Sequence, residues 1–179
     1  MRFERLVLPH LDAAYSLAGW LVRDDAQAEE AVQESCLRAF RYFDALRGDE
    51  ARPWLLGIVR NTCYGLLQRT RQEGPPLSFD EDGCGEDAVA AGAVVSFPLN
   101  PEAAAIREAD RECVHNALRA LPLEFREAII LREIHGFSYR EIAATCEVPI
   151  GTVMSRIARG RRLLQQALGE RGASEDTGT

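Results

Sequence analysis

The sequence contains no lysine; all 21 of its basic residues are arginine. Codon composition accounts for that as readily as function does, so it points to no mechanism. No apolar run approaches the roughly eighteen residues a membrane-spanning helix needs, so no membrane insertion is expected. The opening residues, Met1-Arg2-Phe3-Glu4-Arg5, lead into no apolar signal core, and a cytoplasmic location is the expectation. Cysteine is scattered and odd in number, at Cys36, Cys63, Cys84, Cys113 and Cys146. There is no Cys-x-x-Cys pair, and no histidine stands near two cysteines at zinc-ligand spacing. Reduced, mostly buried thiols are therefore expected, and a redox-sensing role has no local support. Histidine is limited to His10, His115 and His135. With no Gly-rich phosphate loop and no Ser–His–Asp set, no enzyme, cofactor or metal is expected. Strand alternation and internal repeats are absent as well.

What is present is helix and a separation of charge. Apolar residues make up 46% and charged residues 27%, which is ordinary for a folded globular chain and excludes wholesale disorder. The formal net charge of −7 argues weakly against a nucleic-acid partner, but its distribution matters more. Residues 1–73 carry −1, residues 74–105 carry −6 with no arginine, and residues 106–179 carry 0. Nearly all the excess acid is in the middle.

The first block has helical periodicity. Apolar residues recur at 11, 14, 15, 18, 21 and 22, and Pro9 either starts or kinks this helix. Asp24 and Asp25 are N-cap candidates for the next. Its apolar stripe is Ala28, Ala31, Val32, Cys36, Ala39, Phe40 and Phe43, and Glu29, Glu30, Gln33, Glu34, Arg38 and Arg41 take the other face. Arg47-Gly48-Asp49-Glu50 reads as a loop. A third helix is expected from about Pro53 to Arg71, with Trp54, Leu55, Ile58, Val59, Leu66 and Leu67 inside.

Between Gly74 and Pro101 the apolar period is lost among Pro75-Pro76, Asp80-Glu81-Asp82-Gly83 and Gly85-Glu86-Asp87, the composition of a flexible acidic linker. The second block is helical again, from Pro101 to about Ala120, from Glu124 to about His135, from Tyr139 to Cys146 behind a Ser138 cap, and from Pro149 to about Leu168. The fold class expected is all-α. Two small helical domains, 1–73 and 104–168, are joined by a linker over 74–103, and a disordered tail covers 169–179.

Residues 138–164 form a helix, a tight turn and a second helix. In the second, Val153, Ile157, Gly160, Leu164 and Ala167 lie on one face, and Thr152, Ser155, Arg156, Arg159 and Arg162 on the other. Residues 150–162 carry four arginines and no acid. Such a helix suits the major groove, where arginine bonds guanine bidentately and serine reaches a base edge or phosphate. Glu147 occupies a turn position where this motif usually has glycine. A left-handed conformation there would cost about 1 kcal/mol relative to glycine.

At this point the sequence resembles the extracytoplasmic-function (ECF) sigma factors of bacterial RNA polymerase. The resemblance rests on Leu121-Pro122-x-x-Phe125-Arg126-Glu127, on Gly136-Phe137-Ser138-Tyr139-x-Glu141-Ile142-Ala143, and on Gly151-Thr152-Val153-x-Ser155-Arg156-x-x-Arg159-x-Arg161. It implies that the last helix reads a −35 element through Thr152, Ser155, Arg156, Arg159, Arg161 and Arg162. Upstream, Asp25-x-x-x-Glu29-Glu30-x-Val32-Gln33-Glu34-x-x-x-Arg38-Ala39-Phe40 resembles the segment that docks on the polymerase. Glu30, Gln33 and Glu34 would then meet the β′ clamp helices, and other surfaces the β subunit. Without the family, those three residues read as a solvated face. Leu46-Arg47-Gly48-Asp49-Glu50-Ala51-x-x-Trp54-Leu55-x-x-Ile58-x-Arg60-Asn61 is similar to the part that captures the melted −10 strand, which assigns Arg47, Asp49, Arg60, Asn61, Arg69 and Arg71 to that DNA. Trp54 reads as core, with a base-stacking platform as the other possibility.

The resemblance implies promoter DNA and core RNA polymerase as partners, and an anti-sigma factor as regulator. Three rivals stand beside it, one of them a nucleic-acid-processing enzyme, disfavoured by the absence of a site. A sigma mimic would bind an anti-sigma factor without DNA, but here the arginine stripe is kept. A stand-alone helix-turn-helix regulator would need a dimer surface. In the family the linker passes near the RNA path, which suits an acidic segment, although a solubilising tether explains it equally. Neutralising Asp80, Glu81, Asp82, Glu86 and Asp87 separates the two, because only the first alters promoter escape in run-off transcription.

Overall fold

The computed structural model describes residues 2–22, 24–48, 50–73 and 101–175, with side chains described within 2–22, 24–48, 50–70 and 110–169. The chain divides into two compact units, Met1–Gly92 and Ala93–Thr179. Among the described residues the elements are helical throughout. The expected linker lies outside the described residues.

The first unit holds α1 (Arg2–Val7), α2 (Leu11–Leu21), α3 (Asp25–Arg41) and α4 (Ala51–Glu73). Periodicity did not reveal α1. Pro9 stands in a 3₁₀ turn, Leu8–His10, between α1 and α2, where its missing N–H costs no helical bond. Asp24 caps α3, its carboxylate accepting from the Gln27 amide at 2.9 Å. The core is where α2, α3 and α4 meet: Leu17 and Leu21, Ala31 and Val32, and Leu55, Leu56 and Val59 are all buried. Ser35 is buried as well, its hydroxyl donating to the Ala31 carbonyl, so a polar atom enters the core already satisfied.

The expected α3 stripe needs correction at its C-terminal end. Phe40 is 65% exposed and Cys36 only partly buried, whereas Ser35 and Ala39 face the core. One residue is about 100° of helix, so Ala39 facing inward turns Phe40 outward. In α4 the buried residues include Ala51, Leu55, Leu56, Val59, Thr62 and Cys63, while Trp54, Ile58, Leu66 and Leu67 are half-buried. Trp54 is neither full core nor a free platform, and its ring meets Phe43 edge-on with centroids 6.5 Å apart.

The second unit holds α5 (Pro101–Ala120), α6 (Leu123–Ile129), α7 (Tyr139–Cys146) and α8 (Ile150–Glu175). Beyond α6 the chain continues through a π-helical turn, Ile130–Ile134, not signalled by the sequence. It ends at Gly136, whose φ of +68° fits glycine, and which lets the Phe137 amide reach the Leu131 carbonyl at 2.9 Å. The buried Arg126 donates to the Arg119 carbonyl at 2.7 Å, satisfying a carbonyl at the end of α5. α8 runs to Glu175, so residues 169–175, expected as a disordered tail, extend the helix past Leu168. Residues 176–179 lie outside the described residues.

Ser138 and Glu141 form a reciprocal capping box at α7: the Glu141 amide donates to the Ser138 hydroxyl, and the Ser138 amide to the Glu141 carboxylate. α7 stops at Glu147 in the left-handed region, φ 55° and ψ 42°. This is the conformation whose cost the sequence anticipated. Glu147→Gly should therefore raise the stability of this unit by about 1 kcal/mol. The check is a denaturant titration in which the midpoint rises while the slope is unchanged.

Candidate polymerase and nucleic-acid surfaces

In the first unit, Glu30 and Gln33 are exposed on α3 and Glu34 is half-exposed beside them. All three line a groove of about 310 Å³ between α3 and α4. The α4 wall of that groove includes Asn61, Thr62, Leu66 and Arg69. Residues assigned by sequence to two different tasks, polymerase contact and DNA contact, therefore share one depression. The acidic wall is partly answered from its own helix: Arg38 Nε lies 2.8 Å from Glu34 Oε1, and Gln33 donates to Glu29 at 3.1 Å. Both pairs are solvent-exposed and contribute little to stability. Leu37, 65% exposed, also lines the groove. Sequence reasoning missed it, although its place off the apolar stripe was the signal.

The expected DNA-facing loop follows α3. Leu46 is buried and anchors it, Arg47 is exposed, and Gly48 takes a φ of +79°. Asp49 lies outside the described residues, and the side chain of Arg71 is likewise not described. Arg60 lies over the Tyr64 ring, 4.5 Å from its centroid, and donates to Asn61 Oδ1 at 3.1 Å. A guanidinium so held over an aromatic face keeps its charge and loses freedom. Arg69 is exposed two turns further on.

In the second unit, Val153, Ile157 and Gly160 of α8 are buried, as their spacing predicts. Ser155, Arg159 and Arg162 are exposed, and Thr152 and Arg156 half-exposed, so these five share an outward face. The Ser155 hydroxyl donates to the Thr152 carbonyl at 2.9 Å, which leaves its lone pairs outward. Arg161 does not join them. It sits about half a helical turn round from Thr152 and pairs with Glu133 of the π-helical turn. The Glu133 hydrogen bond, and then its charge, hold the Arg161 pKa above the ordinary arginine value. The sequence grouped Arg161 by motif, whereas the face is set by period.

Little else resembles a reactive centre. Burial pushes the Cys36 thiol above its usual pKa, which keeps it protonated and a poor nucleophile. Cys63 and Cys146 are buried. Burial, and then the charge of Arg52, lower the pKa of His10. Among the described residues no group of His, Cys, Asp and Glu could hold a metal ion, and no helix is long and apolar enough to cross a membrane.

A helical unit with a groove walled by carboxylate, amide and arginine side chains, and another with a capped helix-turn-helix and an arginine face, define a transcription initiation factor once the comparisons are added. The sequence matches Sigma-70 region 2 over residues 6–73 and Sigma-70, region 4 over residues 111–164. It is 36% identical over 163 residues to the ECF RNA polymerase sigma-E factor of Escherichia coli (strain K12), covering 90% of this chain and 84% of that protein. It is 35% identical over 170 residues to the RNA polymerase sigma-H factor of Pseudomonas aeruginosa, covering 93% and 86%. Its fold is similar to that of the sigma factor RpoE, crystallised with the anti-sigma factor NepR from Bartonella quintana, with a TM-score of 0.71, 31% identity, and coverage of 93% of this chain and 96% of that one. CnrH, solved with the cytosolic domain of CnrY, is similar in fold alone, with a TM-score of 0.60 and 24% identity over 94% of this chain and 88% of that one. The chain belongs to the ECF RNA polymerase sigma factors.

Proposed function

We propose that the first unit docks on core RNA polymerase and captures the melted −10 strand, while the second reads the −35 element. Glu30, Gln33 and Glu34 meet the β′ clamp helices, an acidic and amide face against a basic partner. Arg47, Asp49, Arg60, Asn61, Arg69 and Arg71 hold the unstacked strand, whose phosphates and base edges need cations and polar side chains once stacking is lost. Thr152, Ser155, Arg156, Arg159 and Arg162 enter the major groove. Arg161, turned to Glu133, supports α8 from behind. The chain works in the cytoplasm, and the second contact with the polymerase is on the β subunit.

The observation that carries this reading is the face of α8. Three arginines stand there with Ser155 and Thr152 and no acid, on the helix that follows α7 with its full capping box. A mimic that only titrates an anti-sigma factor has no use for that face. A stand-alone regulator has no use for the acid and amide face of α3 on another unit. The likeness to RpoE, crystallised with NepR, supports an anti-sigma factor as regulator, covering surfaces that otherwise meet polymerase.

The test is reconstitution. The purified chain is mixed with bacterial core polymerase and sheared DNA from the source organism, and RNA 5′ ends are mapped. Discrete starts sharing spaced upstream elements, absent with core alone, are expected. Absence of starts together with no co-elution with core would overturn the reading and favour the mimic.

A further inference from the structure

The loop after α3 has little of its own to hold it. Between the buried Leu46 and the buried Ala51, residues Arg47, Gly48 and Glu50 are exposed. A pocket that holds an unstacked base must be formed in advance to return the cost of unstacking. Some other part of the unit has to order it.

That part is the amino-terminal helix. Arg2 Nη2 donates to the Gly48 carbonyl at 3.2 Å, across 46 residues of sequence. The same guanidinium lies 5.8 Å from the centroid of the Phe43 ring. Next to it, Phe3 meets Phe40 and Phe43 edge-on, each with centroids 5.3 Å apart, and Phe43 in turn meets Trp54. Phe40 is in the last turn of α3, Phe43 is in the 3₁₀ turn before the loop, and Trp54 is in the first turn of α4. The rings therefore tie together both stems of the loop, while Arg2 grips its left-handed residue. This also accounts for Phe40 standing outside the core: its ring serves Phe3.

We infer that α1 is a brace for the −10 loop, with Arg2 and Phe3 as positioning residues that set how well the loop discriminates the captured base. The inference rests on the assignment of this loop to the −10 strand. Neither residue need touch DNA. A charged donor on the Gly48 carbonyl holds the backbone one residue beyond Arg47, and the edge-on rings fix the directions from which the chain enters and leaves.

The experiment uses full-length chain in holoenzyme, on promoters with a constant −35 element and single-base changes through the −10 element. Initiation is read for wild type, Arg2→Ala, Arg2→Lys, Phe3→Leu and Arg47→Ala, beside core affinity and thermal unfolding. Arg2→Ala is expected to lose roughly tenfold in discrimination at one −10 position, the scale of one charge-assisted hydrogen bond, with core affinity and melting unchanged. Arg2→Lys should recover most of it, because an ammonium can reach the same carbonyl. Phe3→Leu, which keeps apolar bulk but loses the ring edges, should lose discrimination in part even if Arg2→Ala folds poorly. A wild-type −10 profile in Arg2→Ala and Phe3→Leu, alongside a lost one in Arg47→Ala, overturns the brace alone. An unchanged profile in Arg47→Ala overturns the assignment of the loop, and the brace with it.

Discussion

Arg159→Ala is expected to cut initiation at promoters with a matched −35 element by between roughly 5- and 150-fold, the range for losing one bidentate arginine–guanine contact of about 1–3 kcal/mol. The residue is exposed at the centre of the α8 face, and the buried side of that helix is held by Val153, Ile157 and Gly160. Its truncation should therefore leave the fold alone. Two controls sort base contact from phosphate contact. If Arg159 reads a base, the loss appears on the matched sequence and disappears when the −35 element is scrambled. If it holds a phosphate, binding weakens on every sequence and the salt dependence of affinity falls by about 0.9 in log–log slope. Arg161→Ala supplies the contrast. Its partner is Glu133, so its removal should leave the salt slope unchanged. Arg156 is a poorer probe, since it is half-buried and its aliphatic stem contributes packing as well as charge.

That contrast shows where sequence reasoning reached and where it stopped. The period of α8 places Val153, Ile157 and Gly160 inward, because a helix of 3.6 residues per turn leaves no freedom about which residues share a side. The Ser138 cap and the left-handed Glu147 were legible for the same kind of reason: both follow from local backbone chemistry. Arg161 entered the group through a family motif, which lists residues in order without saying which way they face, and it pairs with Glu133. The α3–α4 groove was invisible because it joins Glu30 to Asn61 and Arg69, residues some thirty to forty positions apart, and no local period reports a tertiary contact. The helix α1 was missed because six residues are too few to show a period. Its role became visible only once Arg2 was found on the Gly48 carbonyl. The π-helical turn, Ile130–Ile134, was hidden differently, since neither Gly136 after it nor the Glu133–Arg161 pair marks it in the sequence.

Gly160→Leu should unfold or displace the second unit while leaving the first intact. A Cβ built on Gly160 falls 2.5 Å from Ile129 Cδ1, 3.2 Å from Ile129 Cγ1 and 3.3 Å from Phe125 Cβ. The Ile129 methyl can swing aside, but the Phe125 Cβ is fixed to the α6 backbone. Gly160→Ala is therefore a balance: a gain in helix propensity of about 1 kcal/mol opposes a few tenths of an ångström of displacement, and the net change should be small. Leucine adds three more carbons to the same gap, and overpacking there should cost about 3 kcal/mol or more. Against the 5–15 kcal/mol typical of a whole domain, that is a large share. Hydrogen exchange on the full chain separates the outcomes by location. Faster exchange is expected in α6 and α8, with α2, α3 and α4 unchanged. Function should divide along the same line, with core binding retained and dependence on the −35 element lost. Wild-type exchange in α6 and α8 would mean that the helices can part at Gly160 without cost, and that the angle of α8 is set elsewhere.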